Sequence, residues 1–407
     1  MSNVTEKEDF LSENEELEML TKVYKMDSAF DVGNANVKAK INGKVLKQPS
    51  VIQYLLQQPP VTETNLTKLV SNLEDELTVH ITSDAIKRNG LYNIGKRATI
   101  TSDANVENMN IKLGNKYKHT IPVVMTLGMM ACESVKQAFS EEEKLPSIIN
   151  IKSKLSTAIP MSEYTVDKAK FLEDRFTNNK HIVIVYVGGE SVTVSITFEK
   201  VKVTKEGVPP LYALIEGDQE ILDIYNKQYE EKAVPKDFVN KKILHADIGD
   251  GTTEYVYTVG LNPIPDNCTG ERRGVGHATE SAIALLKEDT NGRVLLKRQQ
   301  YMNILKDPSH RLYDEASRFL ENGKYIQAMR ILEDIQEKYT EKIAGDADII
   351  CVYGGGSIEF ESLLYDDLLE FCEEVNCKLL WIPEKYAVDM NMEGLDILNK
   401  KVFFKKG

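Results

Sequence analysis

The same short pattern stands twice in this chain: "DVGNANVK" from Asp31 to Lys38 and "DIGDGTTE" from Asp247 to Glu254. In each, an apolar strand runs into an aspartate, breaks at a glycine and turns back into alternating residues. Gly33, Gly249 and Gly251 permit positive φ and let another group come close to the backbone. The carboxylates of Asp31, Asp247 and Asp250 suit a hydrated cation. A single turn of this composition closes an ordinary hairpin. Two of them, each heading a long stretch in which strands lead into helices, indicate a duplicated architecture.

The chain is long enough for that. Its 407 residues, 42% hydrophobic and 28% charged, can bury two sizeable cores. No apolar run approaches the roughly 18 to 20 residues a membrane span needs. "MSNVTEKEDF" has neither a basic head nor an apolar h-region, so the expectation is a cytoplasmic protein with no membrane partner. Cys132, Cys268, Cys351, Cys372 and Cys377 are too scattered for a disulfide framework or a paired zinc site. The net charge of -13 argues against direct nucleic-acid binding, which needs lysines and arginines against phosphates. Any role on DNA would run through a partner protein.

Residues 1–22 carry Glu6, Glu8, Asp9, Glu13, Glu15, Glu16 and Glu18 and little that could be buried, which predicts an acidic mobile tail. A first lobe is expected over 23–240, with a smaller peripheral subdomain over about 55–115. A second lobe is expected over 241–400, with a peripheral helical subdomain over about 272–345, followed by a tail at 401–407. Alternation predicts strands in "YKMDSAFDVGNANVKAKING", in "KVLKQPSVIQYL" as one strand, in "TVHITSDAI" and in "YNIGKRATI". "HIVIVYVGGESVTVSITFEKVKV" predicts a hairpin around Gly188 and Gly189. Helical spacing appears in "TIPVVMTLGMMACESVKQAF" and "HATESAIALLKE", in "LIEGDQEILDIYNKQYEEK" as one helix, and in "RLYDEASRFLENG" and "YIQAMRILEDIQEKYTEKIAG" as two.

The two turns make a natural pair. Backbone N–H groups around Gly33, Asn34 and Asn36, and from Gly249 through Asp250 and Gly251 to Thr252, could donate to phosphate oxygens, with Lys38 as a point charge. Asp31 and Asp247 stand at matching positions for a Mg²⁺ held through water. A third element, "VYGGGSIEF", is a strand ending in Gly354, Gly355 and Gly356 and opening a helix at Ser357. Triple glycine allows close packing against a base or sugar, and a helix N-terminus favours an anion.

These three elements, in this order, resemble the phosphate-1, phosphate-2 and adenosine motifs of the actin, sugar-kinase and heat-shock-chaperone ATPase superfamily. The resemblance covers about residues 24 to 400 and is strong only at the motifs. It implies an α/β fold of two duplicated lobes, each with a mixed five-stranded-type sheet flanked by helices, and ATP, or GTP in its place, with Mg²⁺ in the interlobe cleft. D-x-G-D-G-x-T resembles actin's own phosphate-2 stretch, whereas ParM typically has Gly-Gly-Thr-Thr there. "STAIPMSEY" resembles the ParM turn whose glutamate orients the attacking water, which implies Glu163 as the catalytic residue. The plain alternative is that Glu163 caps a helix after Pro160. Glu133 in "MMACES" is a weaker candidate, because no strand-to-proline turn closely precedes it. "VKVTKEGVPPLYAL", "GVGHATESAIALL" and "PEKYAVDMNMEGL" are further ParM-like stretches. Asn34, where actin has a serine, departs from the pattern but keeps an amide donor.

The expected function is a plasmid-segregating, filament-forming ATPase of the ParM or Alp type: polar filaments that move DNA through a DNA-bound adaptor of the ParR type. The alternative is a small-molecule, sugar-type kinase of the same fold. A chaperone would need a separate substrate domain. A pseudo-ATPase is disfavoured because Asp31, Asp247, Lys38 and Glu163 are all present.

Overall fold

The structure is a computed structural model that describes residues 21–100, 105–109 and 115–405. Of the acidic tail expected over residues 1–22, residues 1–20 lie outside the described residues, as do the last two of the chain, while Thr21 and Lys22 belong to the first strand. Contacts divide the chain into two units. The first takes residues up to Met109, Asn115–Thr157 and Thr165–Val203; the second takes Ala158–Tyr164 and Thr204 onward.

The first unit is built on a ten-stranded sheet. Its strands are β1 (Thr21–Val32), β2 (Asn36–Ile41), β3 (Lys44–Pro49), β4 (Val51–Leu55), β5 (Thr78–Ser83), β6 (Gly90–Ile94), β7 (Val106–Asn108), β8 (Ile148–Ile159), β9 (His181–Val187) and β10 (Glu190–Lys205), in the order β3-β2-β1-β8-β10-β9-β5-β6-β4-β7. β1, β2 and β3 form an antiparallel meander, and β8 adds to β1 in parallel. β2 alternates exposed or partly exposed with buried residues along its whole length, as a half-covered strand does. The helix Thr120–Glu142 buries most of its residues, from Ile121 to Phe139, as a helix covered on several sides must.

The second unit repeats the plan. β11 (Lys242–Ile248), β12 (Thr253–Val259) and β13 (Asn262–Pro263) form an antiparallel meander, and β15 (Ile349–Tyr353) and β16 (Lys378–Trp381) add to β11 in parallel. β14 (Thr269–Glu271) pairs with β12. All five residues of β15, "IICVY", are buried, as expected of a central parallel strand covered on both faces. The period of two sorts them between two cores. Ile350 and Val352, with Leu244, Ala246 and Ile248, pack with Ile331, Ile335, Phe360 and Leu364. Ile349, Cys351 and Tyr353, with Ile243, pack with Leu211, Leu214 and Leu222. Each fully buried side chain of this size contributes about 1.5 to 3 kcal/mol. A third cluster joins Ala278, Ala282, Tyr301 and Leu320 of the helices that follow β14.

The hairpin at Gly188, the helices Thr120–Glu142 and Val275–Asp289, and the strands around Asp31 and Asp247 form as expected. Four expectations need correction. "KVLKQPSVIQYL" is two strands, not one, because the chain leaves β2 after Pro49 and pairs next with β6 and β7. "YNIGKRATI" is strand only to Ile94, and Lys96–Ile100 is helical after the positive-φ Gly95. The helix expected over Leu214–Lys232 is broken into Pro209–Ile215, a 3₁₀ turn at Gln219–Leu222 and Asp223–Gln228. The two helices expected on either side of Gly323 are one, Tyr313–Glu337. Gly323 is a contact glycine rather than a stop: a side chain there would meet the Ala278 carbonyl at 2.7 Å. All five cysteines are free, and among the described residues no helix is long and apolar enough to cross a membrane.

Candidate functional site

In the first unit the candidate residues lie at the end of β1. Asp31 is buried, and the register sets it directly opposite Lys38 on β2. The Lys38 ammonium donates to the Asp31 carboxylate at 3.1 Å. Between them the turn is closed by the Gly33 N–H on the Asn36 carbonyl, 3.0 Å, and a Cβ on Gly33 would crowd that same carbonyl. Ser50, which the sequence did not single out, fastens the turn from the bend between β3 and β4. Its hydroxyl donates to the Gly33 carbonyl at 2.5 Å and its amide to the Ala35 carbonyl at 2.8 Å. Asn34 is partly exposed and Asn36 exposed.

The second unit brings two of the expected elements together. Asp247 ends β11, and the turn beyond it closes with the Gly249 N–H on the Thr252 carbonyl at 2.9 Å. Gly354, with φ of 96°, lies against this strand end: a Cβ there would stand 2.6 Å from Asp247 Oδ1 and overlap the Ile248 carbonyl. Gly356 is equally tight against Ile248 and Gly249, whereas Gly355 has nothing within 4 Å of where its Cβ would be. Positive φ and overlap together require glycine at 354, so Gly354→Ala should destabilise the protein by about 1 to 3 kcal/mol. Chemical denaturation of the two alanine variants should show Gly355→Ala far milder. The Ser357 hydroxyl donates to the Gly354 carbonyl at 2.8 Å and closes the first turn of the helix Gly355–Glu374.

Residues outside the expected set complete this group. The Asn391 amide donates to Asp247 Oδ2 at 2.6 Å. The segment Gly274–His277 wraps the turn. The Gly276 N–H donates to the Asp250 carbonyl at 2.8 Å, and His277 Nε2 donates to the Gly251 carbonyl at 2.9 Å. The Asp250 carboxylate accepts two hydrogen bonds from the Arg298 guanidinium, one of them at 2.7 Å. Asp250 thus anchors its turn to the helix Arg298–Leu305. His245, at the start of the same stretch, is buried in the sheet, and burial holds its imidazole down at about 3, so it stays neutral.

Glu163 sits on the 3₁₀ turn Met161–Glu163, just past β8, and is partly exposed. It does not cap the next helix: Val166–Thr177 is capped by Thr165, whose hydroxyl accepts from the Lys168 N–H at 3.2 Å. Glu133 is engaged elsewhere, held by the Lys44 ammonium at 2.7 and 2.9 Å. Glu254, opposite Asp247 in the sheet, is buried, and its Oε2 accepts the Met161 N–H at 3.1 Å.

Burial raises the Glu254 carboxyl well above the ordinary glutamate value, and the Glu206 and Asp247 charges push the same way. The Thr252 hydroxyl and the Met161 amide oppose them. An acid raised in the fold keeps a proton that the unfolded chain releases. Its contribution to stability is therefore present below the unfolded value of 4.5 and is lost as pH rises from there through the folded value. Glu254→Gln removes that titration. Its melting temperature relative to wild type should rise between pH 5 and pH 8, by on the order of 3 °C for each kcal/mol. Parallel melting curves across this range would contradict it.

The topology, repeated in the two units, defines the class: the chain has the actin-like fold. In structure it is similar to the actin-like protein Alp7A (TM-score 0.65, 16% identity, 92% of this chain and 96% of that one). It is similar too to a non-polymerisable quadruple mutant of pCBH ParM (0.62, 16%, 93% and 100%). A third likeness is Bacillus thuringiensis ParM solved with ATP (0.57, 14%, 92% and 98%). No protein-family model matches the sequence, and a search of curated proteins gave no match.

Proposed function

We propose that the chain is an ATP-dependent, filament-forming actin-like protein of the cytoplasm. It would segregate plasmid or other DNA through a DNA-bound adaptor of the ParR type and hydrolyse ATP to control filament turnover. The observation that carries this reading is the duplicated hairpin, with a buried aspartate at the same place in each, together with the glycine triplet packed on Asp247. The residues fit a magnesium nucleotide. Two carboxylates suit a hydrated cation, tight glycine turns suit phosphate oxygens, and the open space at Gly355 suits close approach of a ligand. Asp31 and Asp247 would hold the Mg²⁺, which neutralises phosphate charge when bound. Glu163 would accept the proton of the attacking water. Head-to-tail contacts that do not close into a ring would give polar filaments.

Gly355→Val should keep the wild-type melting temperature and lower nucleotide affinity by about tenfold, read by fluorescence titration. The reading as a whole is tested by sedimentation with ATP and Mg²⁺ and by parallel phosphate release. Pelleted polymer that declines as phosphate appears is the expected result. Unassembled protein that passes phosphate to an added sugar would instead establish the kinase alternative.

A further inference from the structure

The two hairpins differ at one equivalent position. Across from Asp31 stands Lys38, an attractive pair, and across from Asp247, at the same offset, stands a second carboxyl, that of Glu254. A carboxyl directly opposite another brings no attraction across the strand pair, and burying it adds a cost. The surroundings are nonetheless shaped to receive it. Glu254 also faces Gly270 of β14, where a side chain would come within 2.8 Å of both carboxyl oxygens. A Cβ at position 270 would push this carboxyl from its place.

What the carboxyl holds is the turn that carries Glu163. Oε2 accepts the Met161 N–H at 3.1 Å, and the Glu206 N–H donates to the Ile159 carbonyl at 2.8 Å, so the chain is fastened on both sides of Pro160. Within the turn, the Glu163 N–H donates back to the Pro160 carbonyl at 3.0 Å, so its backbone follows wherever Met161 is held. We propose that Glu254 is a positioning residue: by binding the Met161 amide it sets where Glu163 stands relative to the Asp247 turn. The inference rests on the proposed ATPase reading, in which Glu163 orients the water. Displacement of about 1 Å in such a group costs on the order of 100-fold in rate.

The test compares Glu254→Ala, Glu254→Gln and Gly270→Ala in the full chain. Hydrogen exchange is followed without nucleotide, and nucleotide affinity and single-turnover hydrolysis with Mg·ATP. In Glu254→Ala the 159–164 amides should exchange faster, and hydrolysis should fall about 10- to 100-fold with affinity within about threefold of wild type. Glu254→Gln, whose amide oxygen still accepts from Met161, should restore both. Gly270→Ala, which crowds the carboxyl without removing it, should reproduce the alanine effects should Glu254→Ala fail to fold. In a Glu163→Ala background Glu254→Ala should cost nothing further, which general destabilisation would not produce. Unchanged exchange at 159–164, unchanged turnover, or additive losses would overturn the proposal. A wild-type chain that binds ATP without hydrolysing it would instead overturn the ATPase reading and the proposal with it, and is told apart by the wild-type measurement alone.

Discussion

Asp247→Ala should lower Mg·ATP affinity by about 100-fold or more, roughly 2.7 kcal/mol, and abolish its dependence on Mg²⁺. Asp247 is nearly buried, its Oδ2 is fixed by the Asn391 amide at 2.6 Å, and Gly354 packs over Oδ1. A carboxylate held this way is already oriented for a hydrated cation, so little ordering cost remains when the ion arrives. Its removal would take away the proposed anchor and leave the Asn391 donor without its acceptor. Titration of a fluorescent nucleotide with Mg²⁺ and with a chelator separates the two losses: wild type should weaken on chelation, and Asp247→Ala should not respond. Asp247→Asn, which keeps an oxygen for Asn391 but not the charge, should bind nearly as poorly. An Asp247→Ala protein still responsive to Mg²⁺ would place the metal elsewhere.

Glu163→Ala should slow hydrolysis by about 10² to 10⁴-fold and leave ATP-induced polymers intact and longer-lived. The residue is partly exposed on a short turn, and the helix that follows is capped by Thr165, so no structural duty at that helix start accounts for a glutamate there. Phosphoryl transfer asks mainly for positioning of the water and charge stabilisation, which is why one misplaced acceptor is costly while binding survives. Phosphate release and light scattering recorded on one sample distinguish the outcomes. Unchanged turnover would move the water-orienting role to another residue.

The hairpins around Asp31 and Asp247 were legible because a strand that breaks at D-x-G and resumes alternation has few other readings. Gly188 was legible for the same reason. Gly217 and Gly323 show where local pattern fails. The sequence reads as one helix through Gly217 and as two helices parted at Gly323, yet the helix before Gly217 ends at Ile215 and the other continues past Gly323. What decides is tertiary: Gly323 lets its helix approach Ala278, and that contact leaves no mark in neighbouring residues. The partners of the site were hidden likewise. Asn391 lay in a stretch already singled out, but its bond to Asp247 joins residues far apart in sequence. Arg298 meets Asp250 through a helix whose packing no spacing reveals. Glu254 was within reach, since its offset from Asp247 equals that of Lys38 from Asp31, and a strand pair read across as well as along would have placed it.

The central claim is that the duplicated hairpins bind a magnesium nucleotide that drives assembly. Negative-stain microscopy of the full chain at micromolar concentration, with Mg·ATP and with chelator, tests it most directly. Polar filaments with Mg·ATP and none with chelator are predicted. Tight nucleotide binding with no filaments across the micromolar range would contradict it.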